Sequence, residues 1–138
     1  MKWEVKPLGD VIERTEQIDP TRKPDEAFSY VDVSGVSNET FTISEPVVLY
    51  GKDAPSRARK QMRAGDVLFA TVRPTLKRIA IVPEELDGQV ASTGYFVFRP
   101  KPTLTNRFLF YYLLSDLFRI GWRSFKREPA ILRSRMLK

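Results

Sequence analysis

The segment 67–72 constrains the fold more than any other part of the sequence, because its side chains are apolar at every position except Thr71. A short run of this kind presents apolar side chains on both faces of a strand, so neither face can be left to solvent. Gly65 and Asp66 mark a turn before it, and Pro74 pushes Arg73 towards an extended conformation after it. The segment therefore predicts a central strand.

Further short β-prone segments lie on both sides of this strand, and turn residues separate them. A helix is expected over about 106–122, since Thr105 or Asn106 can cap it and apolar residues follow. Many short strands followed by a late helix predict an α+β fold, with a twisted, mostly antiparallel sheet, a buried helix and long loops. The β-prone segments are 28–33, 41–50 (interrupted by Pro46), 79–82 and 95–98.

The apolar side chains of the predicted helix have two interpretations. At this spacing they indicate core packing, but the same residues would also form a surface that docks a partner. Trp3 has a similar pair of interpretations, because a lone Trp packs beneath a sheet or stacks on a base. The helix residues concerned are Phe108, Leu109, Phe110, Leu113, Leu114 and Leu117.

The composition excludes several kinds of chemistry. The 138 residues include no Cys and no His, so thiolate zinc sites and catalytic triads that use His or Cys are excluded. The N-terminus lacks the apolar core of a signal peptide, and the most apolar run, 108–114, is far shorter than the about 20 residues that span a bilayer. A cytoplasmic location is expected.

A basic charge balance favours polyanionic partners. The chain has 23 Lys and Arg against 17 Asp and Glu, and its densest run of cations lies between positions 57 and 78, where Asp66 is the only acidic residue. Arg can donate two hydrogen bonds to O6 and N7 of guanine in the major groove, and Lys and Arg also bind phosphates. A solvated basic loop is the alternative interpretation. The cations are Arg57, Arg59, Lys60, Arg63, Arg73, Lys77 and Arg78.

Hydroxyl groups near the strand ends extend this candidate DNA-binding surface. Thr93 is the principal candidate, and Thr71, Ser92 and Tyr95 can donate to phosphates or bases in the same way. For Ser92, Thr93 and Gly94 the alternative is a turn whose hydroxyls bond to their own backbone. No catalytic residues and no metal ligands are predicted, because glycine-rich phosphate loops and methyltransferase motifs are missing and the carboxylates Glu84, Glu85 and Asp87 belong to a turn.

Six segments follow one another in an order that is typical of one known family. They are WEVKPLGDV at 3–11, YVDVS at 30–34, APSRAR at 54–59, GDVLFATVRP at 65–74, ASTGYFVFRP at 91–100 and FLFYYLLS at 108–115. Together they resemble one target-recognition domain of a type I restriction–modification specificity subunit. The resemblance covers most of positions 3–122, and it carries more weight than the charge.

The resemblance implies a non-catalytic module that reads one half of a bipartite sequence in double-stranded DNA. Long helices in such subunits set the spacing of the two halves and dock a DNA methyltransferase subunit, and a restriction subunit joins indirectly. No cofactor is expected in this chain, because S-adenosylmethionine and ATP belong to the partner subunits. No membrane partner is expected.

The C-terminal residues depart from the family pattern. The resemblance implies a recognition domain at 1–125, whereas 126–138 form a basic tail where a spacer helix is expected. A truncated product or a fragment is therefore expected. The alternative function is a protein-interaction domain that docks a methyltransferase subunit without useful DNA binding, and a carboxylate-metal nuclease is a more distant alternative.

Overall fold

The computed structural model describes residues 8–44, 46–72 and 77–115. Within these ranges the chain forms two helices, eight short strands and four single turns of 3-10 helix. The helices are α1 (Leu8–Val11) and α2 (Asn106–Leu114). The strands are β1 (Ile12–Glu13), β2 (Ala27–Val31), β3 (Val47–Tyr50), β4 (Ala58–Gln61), β5 (Val67–Ala70), β6 (Ile79–Ile81), β7 (Val90–Ser92) and β8 (Tyr95–Pro100). The 3-10 turns are Pro20–Arg22, Val33–Gly35, Gly51–Asp53 and Glu84–Leu86.

The strands form two four-stranded sheets. The first has the order β1-β8-β5-β6, and its neighbours pair antiparallel. The second has the order β3-β2-β7-β4, in which β2 and β7 pair parallel and the other neighbours antiparallel. The predicted α+β class with mostly antiparallel short strands is confirmed, and the strands are divided between two sheets.

Strand β5 lies in the interior of the first sheet, as its apolar sequence predicts. Val67 and Phe69 pack in one cluster with Leu109 of α2, whereas Leu68 and Ala70 belong to a second cluster that lies towards the other sheet. Successive side chains of a strand point to opposite faces, so a helix covers one face of β5 and the second sheet covers the other. All four residues of β5 are buried for this reason.

The second sheet follows the same alternation. Val31 of β2 and Ala91 of β7 point into the core between the sheets, and the preceding residues, Tyr30 and Val90, form a small cluster on the outer face. Strand β3 is the edge of this sheet, and Val48 is 70% exposed there. The β-prone segment around Pro46 thus becomes a strand only after the proline, where an edge position tolerates it.

Two strands lie where the sequence predicts a basic stretch and a turn. Strand β4 falls in the basic stretch, and β7 falls just before the turn at Thr93 and Gly94. The two strands pair with each other, Ala58 opposite Ser92 and Gln61 opposite Val90. Neither has a long apolar run, so long-range pairing rather than local pattern defines them.

The late helix is buried on one side. Thr105 is its N-cap, and the Thr105 hydroxyl accepts a hydrogen bond from the backbone N–H of Phe108 at 3.2 Å. Leu109 and Leu113 are buried, whereas Phe108 and Tyr111 are exposed. The helix ends at Leu114, where Ser115 has an extended backbone, so it does not run unbroken to residue 122 as predicted. Residues 116–122, the tail 126–138 and Trp3 lie outside the described residues. No helix in the described part of the chain is long and apolar enough to cross a membrane.

Candidate nucleic-acid interface

Several strand ends meet around Gly94. Because β4 and β7 pair with Ala58 opposite Ser92, the residue before β4 lies beside the turn after β7. Because β5 and β8 pair with Ala70 opposite Tyr95, the loop that follows β5 lies beside the same turn. We call this end of the molecule the tip; its described residues are 32–36, 57, 71–72, 77–78 and 93–95.

Backbone hydrogen bonds fix the loops of the tip to one another. The N–H of Thr93 donates to the carbonyl of Arg57 at 2.9 Å. Both the N–H and the hydroxyl of Thr71 donate to the carbonyl of Gly94, at 2.9 and 3.1 Å. These bonds join three segments that are distant in sequence, so the loops are held in one arrangement before any ligand binds.

The segment 32–36 is attached to the tip by two side chains. The Tyr95 hydroxyl lies 2.7 Å from the carbonyl oxygen of Asp32 and 2.8 Å from that of Val33, so it donates to this pair of acceptors. The Arg78 guanidinium donates from Nη1 to the carbonyl of Val36 at 2.7 Å. Gly94 permits the close contact, since a Cβ there would lie 2.3 Å from a methyl carbon of Val33.

Residues of both charges affect the pKa values of two tyrosines beneath the tip, Tyr30 and Tyr95. Burial raises the pKa of the Tyr95 hydroxyl, the positive charge of Arg78 opposes that rise and the negative charge of Asp32 adds to it. Burial also raises the pKa of Tyr30, and there Arg57 lowers the pKa whereas Asp32 raises it. Arg57, Arg78 and Asp32 therefore share one small region of the surface.

The structure places four of the eight predicted DNA-binding residues at the tip. Arg57 and Thr93 are exposed, and Lys77 and Arg78 are partly buried. Lys77 has a left-handed backbone, with φ of 53°. Arg73 lies outside the described residues. The other three predicted residues are Arg59, Lys60 and Arg63, which lie along β4 or beyond its far end.

The cations along and beyond β4 have protein partners. Arg59 lies 3.4 Å from Asp19, between Nη1 and Oδ1, and Arg63 lies 4.0 Å from Glu16, between Nη2 and Oε2. The Lys60 ammonium lies 5.4 Å from the centre of the Phe96 ring, and burial lowers its pKa. The ion-pair partners of Arg59 and Arg63 are Asp19 and Glu16, which come from a distant part of the sequence, and not Asp66, the acidic residue within the basic run.

Asp66 instead forms a buried ion pair with Arg99. The Arg99 guanidinium donates from Nε to Oδ1 and from Nη2 to Oδ2, both at 2.9 Å, and the Asp66 side chain is 2% exposed. The hydrogen bond to Asp66 is the main cause that raises the pKa of Arg99. Arg99 also lies 3.3 Å from Glu16.

We call Glu16, Arg63, Asp66 and Arg99 the ion-paired end; they lie beyond the ends of β4 and β5 that are remote from the tip. Sequence reasoning missed Arg99, and no local signal identifies it.

Carboxylates elsewhere do not gather into a metal site in the part of the chain that is described, where no group of three or more potential protein ligands is found. Glu84 and Glu85 lie exposed on a 3-10 turn, as expected of surface carboxylates.

Comparison with curated proteins identifies a relative. The type I restriction enzyme HindI specificity subunit of Haemophilus influenzae is 30% identical over 116 residues, which cover 83% of this chain and 24% of that subunit. No protein-family model matches the sequence.

Solved structures give the same result. The HsdS subunit from Thermoanaerobacter tengcongensis superposes with a TM-score of 0.83 at 44% identity, over 91% of this chain and 32% of that one. A chain from a structure of the type I R-M system has a TM-score of 0.83 at 42% identity, over 90% of this chain and 33% of that one. This chain thus spans about a quarter to a third of the proteins it matches. The predicted resemblance to part of a type I restriction–modification specificity subunit is confirmed by both sequence and structure.

Proposed function

This chain is a homologue of one part of the type I restriction enzyme specificity subunits, and from that premise we propose that it reads one half of a bipartite DNA sequence. Double-stranded DNA is the ligand, and the tip is the surface that contacts it. The observation that carries this assignment is the convergence of Arg57, Lys77, Arg78 and Thr93 on one set of hydrogen-bonded loops.

The residues of the tip would have different roles in binding DNA. Arg57 is exposed and places a guanidinium where it can reach a phosphate or a guanine edge. Thr93 adds an exposed hydroxyl donor in the adjacent turn. Arg78 lies with Lys77 directly before β6, and it holds the neighbouring segment by its bond to Val36.

The partners are those that the family implies. We propose that a DNA methyltransferase subunit binds the specificity component and that a restriction subunit joins through it. S-adenosylmethionine and ATP would be bound by these partners, so the chain itself would need neither. The predicted cytoplasmic location follows from the same assembly and stays a prediction.

Titration of duplex DNA at several salt concentrations tests the proposal. If the three cations of the tip and Arg73 neutralise phosphates, log K should fall with log salt at a slope of about −3 to −4. Duplexes selected by the chain from a randomised library should bind more tightly than the unselected library. Equal affinity for selected and unselected duplexes, or a slope near zero, would contradict sequence reading by this chain.

A second candidate function rests on the outer face of α2. Phe108 is 46% exposed and Tyr111 is 65% exposed, one helical turn apart. Neighbouring aromatic side chains on a helix are a suitable surface for a protein partner. If this alternative were correct, the chain would bind a type I methyltransferase subunit, Tyr111→Ala would weaken that binding, and duplex DNA would not bind.

A further inference from the structure

The segment 32–36 was not among the predicted DNA-binding residues, yet the tip is built around it. It makes one turn of 3-10 helix after β2, and Tyr95 and Arg78 hold it from two sides. Asp32 is exposed at the start of this turn. An acidic side chain in the middle of a surface proposed to bind DNA requires an explanation, because it repels phosphates.

The hydrogen bonds of Asp32 leave one of its oxygens for an external donor. Oδ1 accepts from the backbone N–H of Val33 at 2.8 Å and from the hydroxyl of Tyr30 at 3.5 Å. Among the described residues, no hydrogen bond or ion pair to Oδ2 is found. The carboxylate of this exposed residue is thus oriented through Oδ1, while Oδ2 has no hydrogen-bond partner among the described residues.

We infer that Asp32 is a specificity-determining residue, whose Oδ2 accepts a hydrogen bond from an exocyclic amino group of a base in the major groove. The inference rests on the proposed function. Cytosine and adenine present such amino groups in that groove, and Asp is suited to the amino group of cytosine. Tyr95 and Arg78 are positioning residues for Asp32, because both bond to the backbone of its segment.

The cost of removing water from the Asp32 carboxylate makes the choice of base sharper. On a duplex that offers no amino group at this position, the Asp32 carboxylate would lose water without gaining a partner, which is costly for a charge. A cation on the same loop would bind every sequence through its phosphates. Asp32 would therefore weaken binding to wrong sequences as well as favour the right one.

The test replaces Asp32 in the full chain and uses duplexes selected by the unchanged chain from a randomised library. Asp32→Ser keeps a short oxygen that can cap the N–H of Val33 but does not reach a base. We expect it to bind the selected duplex about 10-fold more weakly, since a good base contact discriminates by roughly that factor or more. Its affinity for the unselected library should not fall, because a repulsive charge has been removed.

Base analogues identify the amino group. Each cytosine of the selected duplex is replaced in turn by 2-pyrimidinone and each adenine by purine, which lack the amino groups. At one position the unchanged chain should lose about 10-fold in affinity and the Asp32→Ser variant should lose nothing further. The difference between the two proteins cancels any effect on the duplex itself. A loss at a cytosine or at an adenine would support the inference, and the position that responds would show which base supplies the amino group.

Two controls keep folding and function separate. Asp53→Asn removes a carboxylate from the turn Gly51–Asp53, beyond the end of β3 that pairs with the start of β2, so it should leave selectivity unchanged. Asp32→Asn retains the shape of the side chain as well as the cap. If urea unfolding shows that Asp32→Ser is destabilised, Asp32→Asn should lose less stability.

The outcomes distinguish the inference from the proposed function. If the unchanged chain selects a sequence but both Asp32 variants keep its full preference, the inference is overturned and the proposed function stands. If the unchanged chain selects no sequence, the proposed function fails and the inference fails with it. Loss of affinity by the same factor on every duplex would also overturn the inference, because it would indicate a general effect on folding or charge.

Discussion

The tip and the ion-paired end carry the same kind of residue but use it differently. At the ion-paired end, Arg99 binds the buried carboxylate of Asp66, and Glu16 lies within 4.0 Å of both Arg99 and Arg63. At the tip, the guanidinium of Arg78 donates to a backbone carbonyl, and Arg57 is exposed beside Thr93. The arginines of the ion-paired end lie beside carboxylates, whereas Arg57 at the tip is exposed and is proposed to contact DNA.

This difference shows why the number of cations in a sequence segment is a poor measure of binding. Arg57 and Arg63 are six positions apart and flank the same strand, so they look equivalent in the sequence. Strand pairing directs one towards the turn at Thr93 and the other towards Glu16. Substitutions at the two ends should therefore differ in their effects on folding and on DNA binding.

Asp66→Ala should destabilise the fold most. It leaves the Arg99 guanidinium, whose side chain is 15% exposed, with Glu16 as its remaining carboxylate, and it removes the acceptor for the N–H of Arg63. Breaking a buried ion pair in this way should lower the free energy of unfolding by about 3 kcal/mol. Urea unfolding measures the change, and Asp53→Ala serves as an exposed control. A loss below about 1 kcal/mol would mean that the pair is not important for folding.

Gly94→Ala should damage the tip through its packing. The new Cβ would lie 2.3 Å from a methyl carbon of Val33, so the turn and the segment 32–36 would have to separate. Forcing an extra carbon into a close contact should cost about 1–3 kcal/mol. The double variant with Val33→Ala removes the methyl groups that clash. If it does not recover part of the loss, the contact with Val33 is not the cause.

Tyr95→Phe should affect the tip more selectively. It removes the hydroxyl that bonds to the carbonyls of Asp32 and Val33 and keeps the buried ring, so it should cost about 1 kcal/mol of stability. As a positioning variant it should weaken preference for the selected duplex without changing the salt slope, because no cation is removed. Tyr50→Phe, at a site that is 53% exposed, is the matched control. If Tyr95→Phe keeps the full preference for the selected duplex, Tyr95 does not position Asp32.

The sequence predicted the central parts of the fold because local signals specify them. Val67–Ala70 is apolar on both faces and is covered on both, and Thr105 caps α2 as its residue type predicts. Strands β4 and β7 were missed because a basic segment and a turn-like segment become strands only by pairing with each other.

The candidate site was predictable only in part, for the same reason. Arg57, Lys77, Arg78 and Thr93 are brought together as a group, but the partners of Arg59 and Arg63 lie about 40 positions or more earlier in the chain. No periodicity or motif connects Glu16 to Arg63 or Asp66 to Arg99. The attachment of segment 32–36 through Tyr95 likewise depends on a contact across 63 residues.

Arg57→Ala and Arg63→Ala should have the smallest effects on stability, and they compare the two ends most directly. Both side chains are exposed, so neither variant should change the free energy of unfolding by more than about 0.5 kcal/mol. Glu16 keeps Arg99 as a partner when Arg63 is removed, and the tip loses none of its cations. The two variants therefore differ mainly in which end of β4 loses a positive charge.

The measurement that tests the account most directly is the salt dependence of duplex DNA binding by these two variants and the unchanged chain. Arg57→Ala should make the slope of log K against log salt shallower by about 1, as expected for one lost phosphate contact, and Arg63→Ala should leave the slope close to that of the unchanged chain. Equal changes in both variants, or a larger change in Arg63→Ala, would contradict the assignment of the tip as the DNA-contacting surface.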